Sequence, residues 1–206
     1  MKSLLISLFA ALTLTGCGSM TQKAEEAIAE QIAGKLLGQD IDTDNYNDIG
    51  DNSATVDLEI DGERIFAKDI LFKGMVNAYQ DNFVIQVNDD DHKGRILMSL
   101  EGAEVYSQKP LSGYTKPGET EDNVITGTLM LSKSISENEA VSYLFHEGKI
   151  EVKGMSKNKV VIKLSGTVGD IMGVTKGENL KEISGTITLN KPIMTGIGVE
   201  LENIIY

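Results

Sequence analysis

A strict alternation of apolar and acidic residues begins after residue 53 and constrains the fold more than any other feature. Its apolar members are Val56, Leu58 and Ile60, and single acidic residues separate them. Because successive side chains of a strand point to opposite faces, the pattern predicts a strand with one buried and one solvated face. The Asp61-Gly62 step that follows is typical of a two-residue hairpin turn. Residues 64–67 are therefore predicted to form the returning strand.

Further strands are predicted along the rest of the chain. Residues 82–88 and 95–100 form a second predicted hairpin across an acidic turn. The remaining candidates are residues 103–106, 124–131, 140–146, 149–154, 158–165, 181–189 and 197–205. Residues 107–123 contain two of the three prolines and are predicted to be a long loop. No helix is predicted after residue 53. We therefore expect an all-β domain over residues 54–206, an antiparallel β-sandwich or flattened barrel.

One short motif occurs three times in these predicted strands. Thr126-Gly127-Thr128-Leu129 resembles Ser184-Gly185-Thr186-Ile187, and Ser165-Gly166-Thr167-Val168 repeats its start. Glycine inside a strand marks a bulge or a close approach of two backbones. Two interpretations remain open: a duplicated sheet unit, or equivalent strands that solve one packing problem alike.

The N-terminus has the pattern of a targeting signal. Met1-Lys2 is a short basic start, and residues 4–14 are an apolar run of 11 residues, which is too short to span a bilayer as a helix. Leu14-Thr15-Gly16-Cys17 follows, and these four residues resemble the lipobox of bacterial lipoproteins. The resemblance implies that residues 1–16 are a signal peptide and that Cys17 is acylated. The alternative is an ordinary signal peptide with Cys17 as a free thiol.

The same resemblance implies a location in the cell. In Gram-negative lipoproteins an Asp after the acylated Cys retains the protein in the inner membrane, so Gly18 favours the outer membrane. We expect a lipid-anchored protein that faces the periplasm, with the cell surface as the alternative. Cys17 is the only cysteine, so an acylated protein has no disulfide. The formal charge of −12 argues against nucleic acid as a partner.

Residues 17–38 are predicted to be the acylated Cys and a helical stalk. Ser19 and Gln22 match a capping box, and Gly38 is a natural C-terminal stop. Apolar residues recur on one face at helical spacing: Ala24, Ala27, Ile28, Ile32 and Leu36. The amphipathic helix is a spacer or a partner-binding helix, and the alternative is a helix that docks on its own domain.

Residues 39–53 are a polar, acidic segment that is either a linker or a calcium loop. Calcium needs six to eight oxygen ligands, and the twelve-residue loop supplies them from alternate positions. The matching residues are Asp40, Asp42, Asp44, the Tyr46 carbonyl, Asp48 and Asp51. Asn45 stands where the loop has glycine, and Asp51 is shorter than the usual glutamate. The segment is followed by a predicted strand, whereas a regular calcium loop is followed by a helix. Calcium is the only cofactor considered, and a solvated linker is the alternative.

The remaining polar clusters indicate no specific chemistry. Asp89-Asp90-Asp91-His92 forms the tip of a predicted hairpin, where a solvated turn is the simplest interpretation. His146, the other histidine, has no partner at zinc-ligand spacing. No nucleophile elbow or nucleotide-binding fingerprint occurs, so no catalytic residue is assigned.

Three functions follow from these observations. The first is a non-catalytic, outer-membrane-anchored lipoprotein that acts as a binding or structural module of the envelope. The second is an envelope hydrolase acting on glycan or lipid, which requires two facing carboxylates or His146 beside a carboxylate. The third is an accessory subunit of an envelope assembly with a protein partner, which requires an apolar stripe or an unprotected edge strand.

Overall fold

The computed structural model describes residues 51–206, except residues 90, 92, 118–123 and 137–138. The chain divides into two units, Met1–Asn47 and Asp48–Tyr206, and the described residues belong to the second. The predicted signal peptide, the helix predicted over residues 19–38 and most of the acidic segment lie outside the described residues. The strands are β1 (Ser53–Ile60), β2 (Glu63–Arg64), β3 (Phe72–Tyr79), β4 (Asn82–Asp89), β5 (Gly94–Glu101), β6 (Leu111–Thr115), β7 (Thr126–Ser136), β8 (Glu139–Ser156), β9 (Lys159–Gly169), β10 (Lys181–Asn190) and β11 (Ile193–Ile197). The helices are α1 (Ile171–Lys176) and α2 (Leu201–Ile204).

Eight of these strands join through antiparallel pairs into a closed ring. Its order is β1, β10, β9, β8, β7, β5, β4 and β3. The pair Ala54–Phe72 joins β3 back to β1 and closes the ring. The all-β prediction is confirmed, and the closure corresponds to the flattened barrel among the two predicted architectures.

Three further strands extend this ring. β2 pairs with β1, and β11 pairs with β3. β6 pairs with residues 148–152 of β8, beyond the part of β8 that pairs with β7. β11 runs parallel to β3, and the pair Tyr114–Thr126 is a parallel bridge between β6 and β7. The sheet is therefore mixed rather than wholly antiparallel as predicted. The alternation pattern marks consecutive hairpins, whereas these parallel pairs join strands separated by longer connections.

Alternate residues of the ring strands point inward and fill the interior. Burying one Leu, Ile or Phe side chain fully contributes about 1.5–3 kcal/mol, so these rows dominate the stability. The largest fully buried side chains are Phe66, Phe83, Leu58, Ile85, Ile96, Met98, Leu100, Leu111, Leu131, Ile150, Met155 and Ile162. Phe66 and Phe72 pack edge to face with centroids 5.1 Å apart, directly over Gly94. The polar side chains of the ring strands lie mainly on the outer face, although Asn77 and Asp89 are buried.

The glycines of the repeated motif lie where backbones come unusually close. A Cβ on Gly166 would lie 2.1 Å from the Glu147 carbonyl oxygen, and one on Gly185 would lie 2.0 Å from that of Asp57. A Cβ on Gly127 would lie 3.1 Å from the Gly113 carbonyl oxygen. The predicted close approach is confirmed in all three copies. The close approach supports the interpretation of the repeat as one packing problem met on three strands.

Two of the strands predicted in the first half of the chain are wrong. Their apolar side chains are buried in the core, but the segments do not form full strands. Residues 64–67 are not a full strand: after the two-residue β2, Ile65 and Phe66 are buried in the core. Residues 103–106 form turns, with hydrogen bonds from Val105 N to Gly102 O and from Ser107 N to Glu104 O. Val105 is fully buried there. These apolar side chains fill the core from turns, without strand pairing.

Three strands, β3, β6 and β11, were not predicted; of β11, only Ile197 lies in a predicted strand. β3 carries Gly74, Asn77 and Ala78, which weaken its alternation, although Phe72 and Val76 point into the core. β6 lies inside the predicted loop 107–123 and pairs with β8. Its five residues include one glycine, which hid its strand character.

The predicted strands 140–146 and 149–154 are one strand, β8, of 18 residues. Glu147-Gly148 resembles a turn, but Gly148 adopts φ 140° and faces Gly166 across the sheet. The glycine bends the strand without ending it.

The absence of helices after residue 53 was also a wrong prediction. α1 begins after Asp170, whose side chain accepts a hydrogen bond from Gly173 N at 2.6 Å, and Gly177 ends it with φ 69°. The predicted strand 197–205 is instead the end of β11 followed by α2, because Gly198 at φ 72° turns the chain. Within the described residues, no helix is long and apolar enough to cross a membrane.

Candidate functional site

A row of polar side chains crosses five strands on the outer face of the sheet. Register pairs place Tyr114 opposite Lys149, Lys149 opposite Ser165, Ser165 opposite Ser184, and Ser184 opposite Glu59. Neighbouring strands lie about 4.8 Å apart, so the row spans about 19 Å. One end of the row is basic and aromatic, and the other end is acidic.

The acidic end contains a shallow depression of 210 Å³. We call it the acidic depression; its lining residues are Asp57, Glu59, Ser184, Gly185 and Thr186. Asp57 and Glu59 lie two residues apart on β1, so their side chains point the same way, about 6.6 Å apart along the strand. The Asp57 carboxylate pairs with the Arg64 guanidinium at 2.5 Å. The two carboxylates therefore lie side by side on an open surface.

The basic end forms a compact cluster around one carboxylate. We call it the lysine patch; its residues are Tyr114, Lys149, Glu151, Lys153 and Lys163. The Glu151 carboxylate lies 2.9 Å from Lys153 Nζ and 3.4 Å from Lys149 Nζ. Lys163 lies directly opposite Glu151 in the register of β8 and β9. Three cations thus surround one anion, and the cluster has a net positive charge.

The charges of the lysine patch reinforce one another. Hydrogen bonding to Lys153, and then to Lys149, holds the pKa of the Glu151 carboxyl below its usual range. The Tyr114 hydroxyl raises the pKa of the Lys149 ammonium, and Glu151 adds to this effect. Lys149 Nζ lies 5.4 Å from the centroid of the Tyr114 ring, a cation–π distance. Lys149 and Glu151 therefore stay charged across the physiological pH range.

Of the proposed calcium ligands, only Asp51 lies within the described residues. It forms an ion pair with Lys191, which lowers the pKa of the Asp51 carboxyl by hydrogen bonding. The other proposed ligands, Asp40, Asp42, Asp44, Tyr46 and Asp48, lie outside the described residues, as does Cys17. Within the described part of the chain, no three His, Cys, Asp or Glu side chains form a group that could hold a metal. The Lys191 ammonium competes with any cation for the Asp51 carboxylate.

The second acidic cluster stabilises its own turn. Asp89 is buried, and one of its carboxylate oxygens accepts a hydrogen bond from Lys93 N at 2.8 Å. Asp91 pairs with Lys93 Nζ at 2.8 Å, and this contact raises the pKa of the Lys93 ammonium. Asp90 and His92 lie outside the described residues. The arrangement of Asp89 and Asp91 supports the interpretation as a turn.

His146 lies at a bulge of β8. The register with β9 shifts between Phe145 and Glu147, which leaves His146 between two paired residues. Its side chain is partly buried. A bulge can redirect a side chain, but the acidic depression is formed by other strands, β1 and β10.

No local sequence motif predicts the lysine patch. Its members come from three strands, and their grouping depends on the pairing of β6, β8 and β9. One signal was present: five lysines and one glutamate occur between residues 149 and 166 of a chain with net charge −12. Charge counted in windows along the sequence would have revealed this segment.

Comparison with known proteins adds no name to this site. No protein-family model, curated protein or solved structure matches the chain.

Proposed function

We propose that the protein is an outer-membrane-anchored lipoprotein and a non-catalytic binding or structural module of the cell envelope. The anchor is Cys17, and the binding surface is the outer face that runs from the lysine patch to the acidic depression. The observation that carries the binding role is the division of the β-domain into an apolar interior and a charged outer face. Apolar side chains fill the ring, so the polar groups available for recognition face outward.

The anchoring is tested by lipid labelling in a Gram-negative host. Cells that express the full chain are fed a labelled fatty acid, and their membranes are then separated by density. We expect label on the protein and sedimentation with the outer membrane. Cys17→Ser should lose the label, because the thiol is the acylated group. A wild-type protein that is unlabelled and released as a soluble periplasmic form would contradict the proposal.

Sorting supplies a matched control. Gly18→Asp should keep the label and move the protein to the inner membrane, as the lipoprotein resemblance implies. Because this variant keeps Cys17, it separates acylation from sorting. An unchanged outer-membrane position of Gly18→Asp would contradict the sorting signal while leaving the anchor intact.

The hydrolase alternative has weaker support. Glycoside hydrolysis needs two carboxylates placed about the bond to be cleaved. Asp57 and Glu59 instead lie side by side on one strand, and Asp57 is paired with Arg64. This arrangement favours binding over bond cleavage. An Asp57→Asn, Glu59→Gln variant that abolished a measured glycan hydrolysis would reverse that preference.

One observation favours an accessory subunit as the second candidate. The pairing between β8 and β9 ends where Leu144 lies opposite Gly169. The residues of β8 before Leu144 extend past the end of β9. Ile135, near the end of the neighbouring β7, is 60% exposed. An edge of this kind can accept a strand from another protein. A photo-crosslinker at Ser142 should then capture a specific envelope protein, and one at Ser165 on the lysine-patch face should not.

A further inference from the structure

The β8–β9 hairpin concentrates positive charge on an acidic protein. Residues 149–166 contain five lysines and one glutamate, whereas the whole chain carries −12. Lys149, Lys153 and Lys163 lie on the outer face around Glu151, and Lys157 pairs with Glu202 at 2.6 Å. Like charges placed this close repel one another unless a counter-charge is present. Glu151 supplies one negative charge to three lysines, so the cluster attracts further anions.

Tyr114 gives this cluster a rigid aromatic surface. Its ring is 50% exposed, yet its backbone is fixed on both sides. Its backbone N–H donates to the Ile125 carbonyl at 2.9 Å, and its register partner on β8 is Lys149. The backbone below it comes close to β7, since a Cβ on Gly113 would lie 2.8 Å from Gly127 N. The backbone that carries the ring is therefore fixed, so binding at the ring need not order this segment of the chain.

Hydroxyl groups continue from this aromatic surface across the sheet. Ser165 and Ser184 follow Lys149 in the same row, and Thr186 lies opposite Lys163. An exposed tyrosine offers an apolar face for a sugar ring together with a polar tip. Lysines attract acidic groups, and serine and threonine hydroxyls both donate and accept hydrogen bonds. From Tyr114 to Ser184 the row thus presents, in order, an aromatic ring, a cation and hydroxyl groups over about 14 Å.

We propose that the lysine patch and its hydroxyl row bind an anionic glycan, a sugar chain that carries carboxylate, phosphate or sulfate groups. A thin polymer can contact the lysine patch and the neighbouring hydroxyl groups without reaching the acidic end of the row. A flat anionic membrane would also face the acidic surface of the domain, beginning with Glu59 in the same row and Asp57 two residues before it on β1, and would be repelled by it. The charge pattern therefore favours a chain over a bilayer.

This inference rests on the proposal that the protein is a binding module, but its test does not depend on the lipid anchor. The full-length protein, in non-ionic detergent, is run on native gels that contain dextran sulfate or uncharged dextran. We expect retardation by dextran sulfate only, and its loss at high salt because exposed charges are screened. Loss of lipid labelling with retained retardation would contradict the anchor alone, and the reverse would contradict the glycan alone.

The variants separate the patch from general charge effects. Lys149→Gln with Lys163→Gln should weaken binding by about tenfold, and Tyr114→Ala by about fivefold. The matched control is Lys181→Gln, because Lys181 also lies over a tyrosine, with Nζ 6.0 Å from the Tyr143 ring centroid, but outside the patch. It should change binding by less than about twofold. Equal weakening by Lys181→Gln, or no effect of Tyr114→Ala, would overturn the assigned surface.

An anionic lipid membrane is the alternative ligand for the lysine patch, and a vesicle experiment tests it. The full-length Cys17→Ala chain is sedimented with phosphatidylglycerol vesicles, so that acylation cannot contribute. We expect no co-sedimentation. Vesicle binding that requires Lys149 and Lys163, without retardation by dextran sulfate, would overturn the glycan in favour of a lipid surface.

Discussion

The interior of the ring and its outer face are built by alternate residues of the same strands, yet they depend on different properties. Ile162 is fully buried, whereas its neighbour Lys163 is exposed and faces Glu151. The interior requires volume and close backbone packing, so a small change of shape is costly. The outer face requires charge and register, and its residues contribute little to stability. The fold and the proposed binding can therefore be altered separately.

The strongest test of this contrast changes a glycine at a backbone contact. Gly185→Ala should lower the free energy of unfolding by about 3 kcal/mol or more. Its φ is 148°, and the new Cβ would lie 2.0 Å from the Asp57 carbonyl oxygen. Gly154→Ala is the matched control, since nothing lies within 4 Å of a Cβ at that position. Urea unfolding of both variants checks the prediction, and similar losses would show that packing at Gly185 is not special.

The sequence predicts the interior better than the outer face, for a physical reason. Alternation is local, so the rows that contain Leu58, Ile96 and Ile162 follow directly from it. Whether a strand curves or ends at a glycine depends on the neighbouring strand, and the two strands predicted on either side of Gly148 are therefore one strand in the structure. The lysine patch needs the register of three strands, which no local pattern specifies. Val105 is a different case. The residues around it predict a strand, but its side chain fills the core from a turn.

A second, smaller effect is expected at the boundary between interior and surface. The Tyr106 hydroxyl donates to the Asn82 carbonyl at 2.9 Å, and burial raises the pKa of this tyrosine well above its usual value. The folded state thus resists ionisation more than the unfolded state, whose tyrosine pKa is about 10. The corresponding stability is complete below pH 10 and is lost as the pH rises further.

Tyr106→Phe should therefore reduce the alkaline loss of stability, and should cost about 1 kcal/mol at neutral pH through the lost hydrogen bond. Unfolding in urea at pH 8 and pH 11 measures both quantities. The wild-type protein is measured in the same experiment. If the variant lost as much stability at pH 11 as the wild type, the alkaline sensitivity would come from other groups.

On the outer face itself, charge removal should hardly affect folding. Lys149→Gln with Lys163→Gln should change the free energy of unfolding by less than about 0.5 kcal/mol, because exposed ion pairs are weak. Ile162→Ala, on the inward side of the same strand, should cost about 2–5 kcal/mol. Thermal melting of the two variants compares the faces directly. A large loss in the lysine variant would mean that the patch stabilises the fold and is not free for binding.

Calcium should have the smallest effect, with no measurable shift in melting temperature. Binding at 100-fold above its dissociation constant would add about 2.7 kcal/mol. Asp51, which would be the last ligand of the loop, is already paired with Lys191. The full chain is melted in calcium, in magnesium and in EGTA, and the expected curves coincide. A calcium-specific rise that disappears with Asp42→Asn and Asp44→Asn would instead establish residues 40–51 as a metal site. The stability of this protein would then depend on a surface ligand as well as on its interior.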